Sequence, residues 1–287
     1  MKTGTASGLQ IAFFTFAVLL LVVPLTGWLS QALPGASEER VLLRKALPLA
    51  IAAAILFGLP RLRRLCHEFL RQDVPVEARL EVAIVAGAKL FLPMALVSGY
   101  ALWHWAQGGA ADLARYVGTW RSEEAEIARA FKPAHLVTTF AVAGFLAPVL
   151  EELVFRGLLY KAWEKRLGWA GSMVLVSILF GLYHPLFWAA FASSIVFACL
   201  YRRTGSLWAP IIVHAIFNIA LWYPLLGRHV IPRSPEAATD LSQWGLHLAA
   251  LLVAAIALPW YAWLARHERK PVPAPAPIAC AHGALPQ

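Results

Sequence analysis

Two adjacent glutamates and an arginine, Glu151, Glu152 and Arg156, stand inside an apolar run that reads AHLVTTFAVAGFLAPVL before them and ends in LLY after them. Further along, ILFGLYHP sets Phe180 four residues before His184, and IIVHAIFN sets His214 four residues before Asn218. Carboxylate, imidazole and amide groups of this kind suit hydrolysis. A base activates water, N–H groups receive the oxyanion, and the proton is handed to the leaving group.

The setting makes the three charges costly. An ionisable side chain at membrane depth costs roughly 2.5–3.5 kcal/mol on insertion scales, so it is normally paired, turned to the bundle interior, or functional. Glu152 and Arg156 are one helical turn apart and can pair on one face. Glu151 points about 100° away and needs another partner. A plainer reading makes the three charges the cytoplasmic end of a span, with their side chains reaching water. The apolar continuation through Gly157–Tyr160 and the shortness of acidic side chains speak against it.

The elements that must hold these residues are membrane helices. The chain has 287 residues, a mean hydropathy of +0.63 and only 14% charged residues. Apolar stretches near the ~20 residues needed to cross a bilayer fall at 9–29, 42–60, 82–105, 135–159, 170–189, 190–201, 207–226 and 243–265. The fold expected is an all-α polytopic membrane helical bundle with about eight transmembrane helices. Alternating β-barrel segments are absent from the sequence. His184–Pro185 separates the fifth and sixth spans, although 184–201 carries no charge and could continue as one broken helix. The first segment has no small-residue cleavage site before Trp28 and reads as an uncleaved span.

With eight spans, 14 Lys and Arg lie on the side of both termini and nine on the other. The positive-inside rule then puts both termini in the cytoplasm of a multi-pass protein of a bacterial inner membrane. The net charge of +9 sits in short loops beside spans, where membrane lipid headgroups account for it and a nucleic-acid partner is not indicated. Cys66, Cys199 and Cys280 form neither a disulfide framework nor a cysteine metal site. The loop 106–134 could hold an interfacial helix, and the Pro/Ala-rich tail 266–287 reads as disordered.

E-E-x-x-x-R, F-x-x-x-H and H-x-x-x-N, in that order and on separate spans, resemble the motifs of the CPBP family of intramembrane glutamic endopeptidases. That family includes the type II CAAX proteases and the Abi, bacteriocin-immunity proteins. The resemblance covers residues 135–226 as a catalytic core, between N-terminal helices and loops at 1–134 and a last span within 227–265. It implies an endopeptidase that cuts a lipidated or membrane-embedded peptide with a glutamate-activated water and no cofactor. By position, Glu151 would activate water with help from His184. Glu152 and Arg156 would hold the site's charge, His214 and Asn218 would bind the oxyanion, and Phe180 would line the cavity against substrate. The motifs do not select the substrate among prenylated tails, bacteriocin leaders and sorting tags.

Two other readings compete. One adds zinc held by His184, His214 and a glutamate, without an H-E-x-x-H motif. The other is non-enzymatic, a transporter or immunity protein with a proton relay or helix-pairing network. Elsewhere, Lys89 reads as a structural residue of the third span that either meets the acidic site or snorkels. His104, between Trp103 and Trp105, reads as interfacial, and Ser193–Ser194 lacks the partners of a serine protease. One tension is visible at this stage. With the fourth span ending at 159, Glu151, Glu152 and His214 lie about 11–12 Å below the cytoplasmic boundary, and His184 lies nearer ~20 Å.

Overall fold

The computed structural model describes residues 37–130, 140–184, 187–222 and 245–267, and these are all-helical, with no strand among the described residues. The span expected at 9–29, residues 131–139, Pro185, 223–226 and the tail beyond 267 lie outside them. Two stretches, Val76–Thr119 and His247–Leu264, are long and apolar enough to cross a membrane, and Leu49–Gly58 and Trp208–Ala220 are shorter apolar helices.

Helix α1 (Ser37–Gly58) buries Leu49, Ala52 and Leu56, three residues at helical spacing on one face. Pro60 opens α2 (Pro60–Leu70), where its missing N–H costs nothing. This short helix turns Leu62 and Cys66 inward and leaves Arg63, Arg64, His67 and Glu68 exposed. Burial pushes the Cys66 thiol up to about 11, so Cys66 packs rather than reacts.

The third predicted span, 82–105, is two helices. Helix α3 (Arg79–Lys89) ends where Pro93 has no N–H to return to the Lys89 carbonyl, and the chain turns through Leu90 and Phe91. Helix α4 (Leu92–Ala130) then folds back on itself at Gly108–Gly109, where Gly109 has a φ of 63°. Its two arms pack Val97 and Ala101 with Leu113 and Val117. His104 Nδ1 and Asp112 Oδ2, 2.8 Å apart, close the hairpin. Most of the region expected as a loop at 106–134 is therefore the returning arm of a helix.

The fourth span, α5, is one continuous helical run over 140–160. It is π-helical over Phe140–Leu146, α-helical over Ala147–Glu152 and π-helical again over Leu153–Tyr160. It passes directly into α6 (Lys161–Tyr183), whose first arm reverses at Gly168, φ 68°. The turn is thus at residue 168, not spread over the loop expected at 160–169. Glu151 lies 17 residues before Gly168 and His184 lies 16 after it, so the two meet at one depth in an antiparallel pair. That placement removes the tension in depth, which came from ending the fourth span at 159.

At His184 the backbone is extended (φ −109°, ψ 147°) and ends α6. Helix α7 (Phe187–Thr204) runs back and is capped by Gly205 at φ 71°, whose N–H returns to Tyr201 O at 2.8 Å. Helix α8 (Trp208–Trp222) follows, and α9 (Gly245–Leu264) packs against α4 and α7. Leu252, Val253, Ile256, Trp260 and Trp263 of α9 are exposed on one flank, as a lipid-facing helix requires.

A polar clamp ties the loop ends of these helices together. Arg202 bonds Glu164 on α6 and the Ala265 carbonyl just past α9. Arg203 bonds both carboxylate oxygens of Glu81 on α3 and the Leu264 carbonyl. Tyr261 OH donates to the same Glu81 at 3.0 Å. The two guanidinium groups at the end of α7 thus join the C-terminal carbonyls of α9 to carboxylates in the first turns of α3 and α6.

Candidate active site

The site is assembled from α5, α6, α7 and α8. Glu152 and Arg156, one turn apart on α5, are both fully buried. Arg156 Nη1 donates to Glu152 Oε1 at 3.0 Å, and Nη2 donates to Ser194 Oγ at 2.7 Å and Ser194 O at 3.1 Å on α7. The guanidinium lies 4.8 Å over the Phe180 ring, where the ring face offsets part of the cost of a buried cation. Glu152 Oε1 also meets His214 Nδ1 at 3.0 Å.

Glu151, next in sequence, faces a different pair. Its Oε2 lies 3.7 Å from His184 Nε2 and 3.8 Å from His214 Nε2, with its side chain 12% exposed. Both separations exceed a direct hydrogen bond and are bridged readily by a water off the line between the atoms. The bonds on the far side of each ring fix the tautomers. His184 Nδ1 sits 2.7 Å from Phe180 O, a carbonyl, and must donate to it. His214 Nδ1 donates to the Glu152 carboxylate. In a neutral ring each Nε2 facing Glu151 is therefore an acceptor.

Phe180 orders both imidazoles. It stacks on His184 at 4.3 Å, meets His214 edge-on at 5.9 Å, and is itself held edge-on by Phe155 at 5.0 Å. Phe197 of α7 stacks on the other side of His214 at 4.6 Å. Asn218, one turn after His214, donates Nδ2 to Ala143 O at 2.9 Å. Pro148 brings no N–H to that π-helical turn, and the amide of Asn218 supplies a donor there. Close approach is possible because Gly144 faces Ile219: a Cβ on it would lie 3.0 Å from Ile219 Cγ1.

The structure therefore brings Glu151, Glu152, Arg156, Phe180, His184 and His214 into one cluster, and places Asn218 at its edge on a backbone carbonyl. Among the described residues, no group of three His, Cys, Asp or Glu is spaced to hold a metal ion. Sequence reasoning missed Ser194 as the partner of Arg156 and Phe197 as the partner of His214. Its one hint was the serine pair in an otherwise apolar span, weighed there only as a nucleophile.

A family model described as type II CAAX prenyl endopeptidase Rce1-like matches residues 133–220. The chain is 30% identical over 82 residues to the "Putative membrane peptidase YdiL" of Bacillus subtilis (strain 168). That match covers 27% of this chain and 33% of the relative, so the chain spans about a third of the length of the curated relative it matches. No solved structure matches. The segment that the Rce1-like model matches, residues 133–220, carries both glutamates, the arginine, both histidines and Asn218.

Proposed function

We propose that the protein is a multi-pass intramembrane endopeptidase, its termini in the cytoplasm, that hydrolyses a peptide bond of a lipidated or membrane-embedded substrate with a water activated by Glu151. The observation that carries this reading is the convergence of two imidazole Nε2 atoms, from different helices, within 3.8 Å of one Glu151 oxygen.

A water beside Glu151 donates one hydrogen to Oε2 and the other to His184 Nε2, and so presents a lone pair to the substrate carbonyl. As its oxygen bonds to the carbonyl carbon, Glu151 takes the proton. With Nδ1–H already on Glu152, His214 takes that proton from Glu151 at Nε2, the atom that faces it, and donates it to the oxyanion, leaving Glu151 ionised again. Collapse breaks the C–N bond, and the proton held at the site passes to the leaving amine. Asn218 sets the height of His214 through Ala143 and keeps its second amide hydrogen for the oxyanion. Glu152 and Arg156 keep the charge beside His214 fixed, and Phe180 is the wall that substrate meets.

The test is reconstitution in liposomes with two probes: a farnesylated peptide ending in a cysteine-aliphatic-aliphatic tetrapeptide, and a transmembrane peptide bearing a C-terminal tag. Mass spectrometry should find cleavage of one of them by the wild type and none by Glu151→Gln. A preparation freed of metal by chelation should keep its rate. Cleavage that disappears on chelation and returns with zinc would overturn the glutamate-water reading in favour of a metal-held water.

A further inference from the structure

Lys89 is used by nothing described so far. It is 3% exposed, and its Nζ makes no hydrogen bond among the described residues. It does not snorkel. Instead its ammonium lies 3.1 Å from the centroid of the Phe217 ring and 4.8 Å from that of Phe197, the ring stacked on His214. Two features favour a cation at that point. The aromatic faces attract one, and Lys89 ends α3, where the helix dipole is negative and Pro93 leaves the last turn's carbonyl without its usual donor.

Lys89 is also within electrostatic reach of the site, of Glu152 and Arg156 directly and of His214. Counted in their ordinary ionised forms, the charged groups of the cluster are two carboxylates, one guanidinium and one ammonium. Arg156 is spent on Glu152 and Ser194, which leaves the negative charge of Glu151 without a counter-ion on α5 or α7.

We propose that Lys89 is a positioning residue of this site: its ammonium, held behind Phe197 and Phe217, brings the buried cluster to zero net charge, so that an oxyanion can form beside His214. The inference rests on the proteolytic reading above. An oxyanion exists only in the transition state, so the loss of a nearby cation should slow the chemical step and leave substrate binding alone.

The experiment compares Lys89→Met, Lys89→Gln and Lys89→Arg with wild type, all full-length in liposomes, on whichever probe peptide the wild type cleaves. Methionine keeps the length and apolar stem of lysine and removes the charge. Arginine restores a permanent charge. Met and Gln should lower kcat by about tenfold or more with KM within about twofold, and Arg should recover most of kcat. The Tm of Lys89→Met should stay close to that of wild type, because the ammonium makes no hydrogen bond that the change would break. The assignment is overturned if Met keeps the wild-type kcat, if Arg is as impaired as Met, or if the loss appears as a raised KM with a lowered Tm in both Met and Gln. A wild type that cleaves neither probe sinks the proteolytic reading and this inference with it. A wild type that cleaves while Lys89→Met matches it sinks this inference alone.

Discussion

At the scale of single residues, the adjacent glutamates have different partners and should fail differently. Glu151 lies opposite two imidazoles and makes no direct hydrogen bond at Oε2. Glu151→Gln should therefore fold with an unchanged Tm while its turnover falls by about a thousandfold. Glu152 is the acceptor for Arg156 and His214. Arg156→Met strips the guanidinium from a fully buried pair, and equilibrium unfolding in detergent should show a loss of about 3–5 kcal/mol, because Glu152 is left as an uncompensated charge. The double change Glu152→Gln with Arg156→Met removes both charges and should recover much of that loss. Ser194→Ala keeps the carbonyl bond to Arg156 and loses only the hydroxyl bond, so it should cost about 1 kcal/mol. The same residues show what a sequence discloses. Glu152 with Arg156 was legible because i, i+4 spacing dictates the pair. Ser194, 38 residues beyond Arg156, was not, because only tertiary packing decides which serine on α7 faces a guanidinium.

At the scale of elements, the depth at which α5, α6 and α8 cross is what makes a site from scattered motifs. Gly168 sets the antiparallel register of Glu151 and His184, and Gly181 sets the approach of α7 to the end of α6. A Cβ at Gly181 would lie 2.9 Å from Phe187 Cδ2 and 3.1 Å from Phe187 O, the latter a backbone atom that cannot swing aside. Gly181→Ala should thus destabilise the protein by about 1–3 kcal/mol. It should also lower turnover more than that loss alone explains, since His184 is three residues away; thermal unfolding measured beside kcat checks both parts. Sequence periodicity located the spans but not their internal geometry. It ended the fourth span at 159, short of the turn at Gly168, and it read α3 and the first arm of α4 as one helix despite Pro93. The π-helical turns of α5 leave no sequence signature, although the missing N–H of Pro148 and the bond from Asn218 to Ala143 O are visible once the backbone is known.

At the scale of the whole molecule, the clamp of Arg202, Arg203, Glu81 and Glu164 gathers the loop ends of α3, α6, α7 and α9. Residues 161–166, 202–206 and 265 lie at one end of the bundle, the end that the positive-inside rule assigns to the cytoplasm. A cysteine introduced at the exposed Lys165, in a background lacking Cys66, Cys199 and Cys280, should react with a membrane-impermeant maleimide in inside-out vesicles and not in intact cells. The opposite pattern would invert the molecule. An all-helical membrane protein could be read from hydropathy alone, because an unpaired backbone in lipid forces helices. The bundle's detailed packing could not, because lipid and a neighbouring helix present the same apolar surface to Leu, Val and Phe. The central claim is that Glu151 activates a water rather than attacking the peptide itself. Single-turnover cleavage in ¹⁸O-labelled water tests it most directly: the account predicts the label in the new carboxylate of the peptide product and none in Glu151, whereas label in the Glu151 side chain, or cleavage that persists in Glu151→Gln, would contradict it.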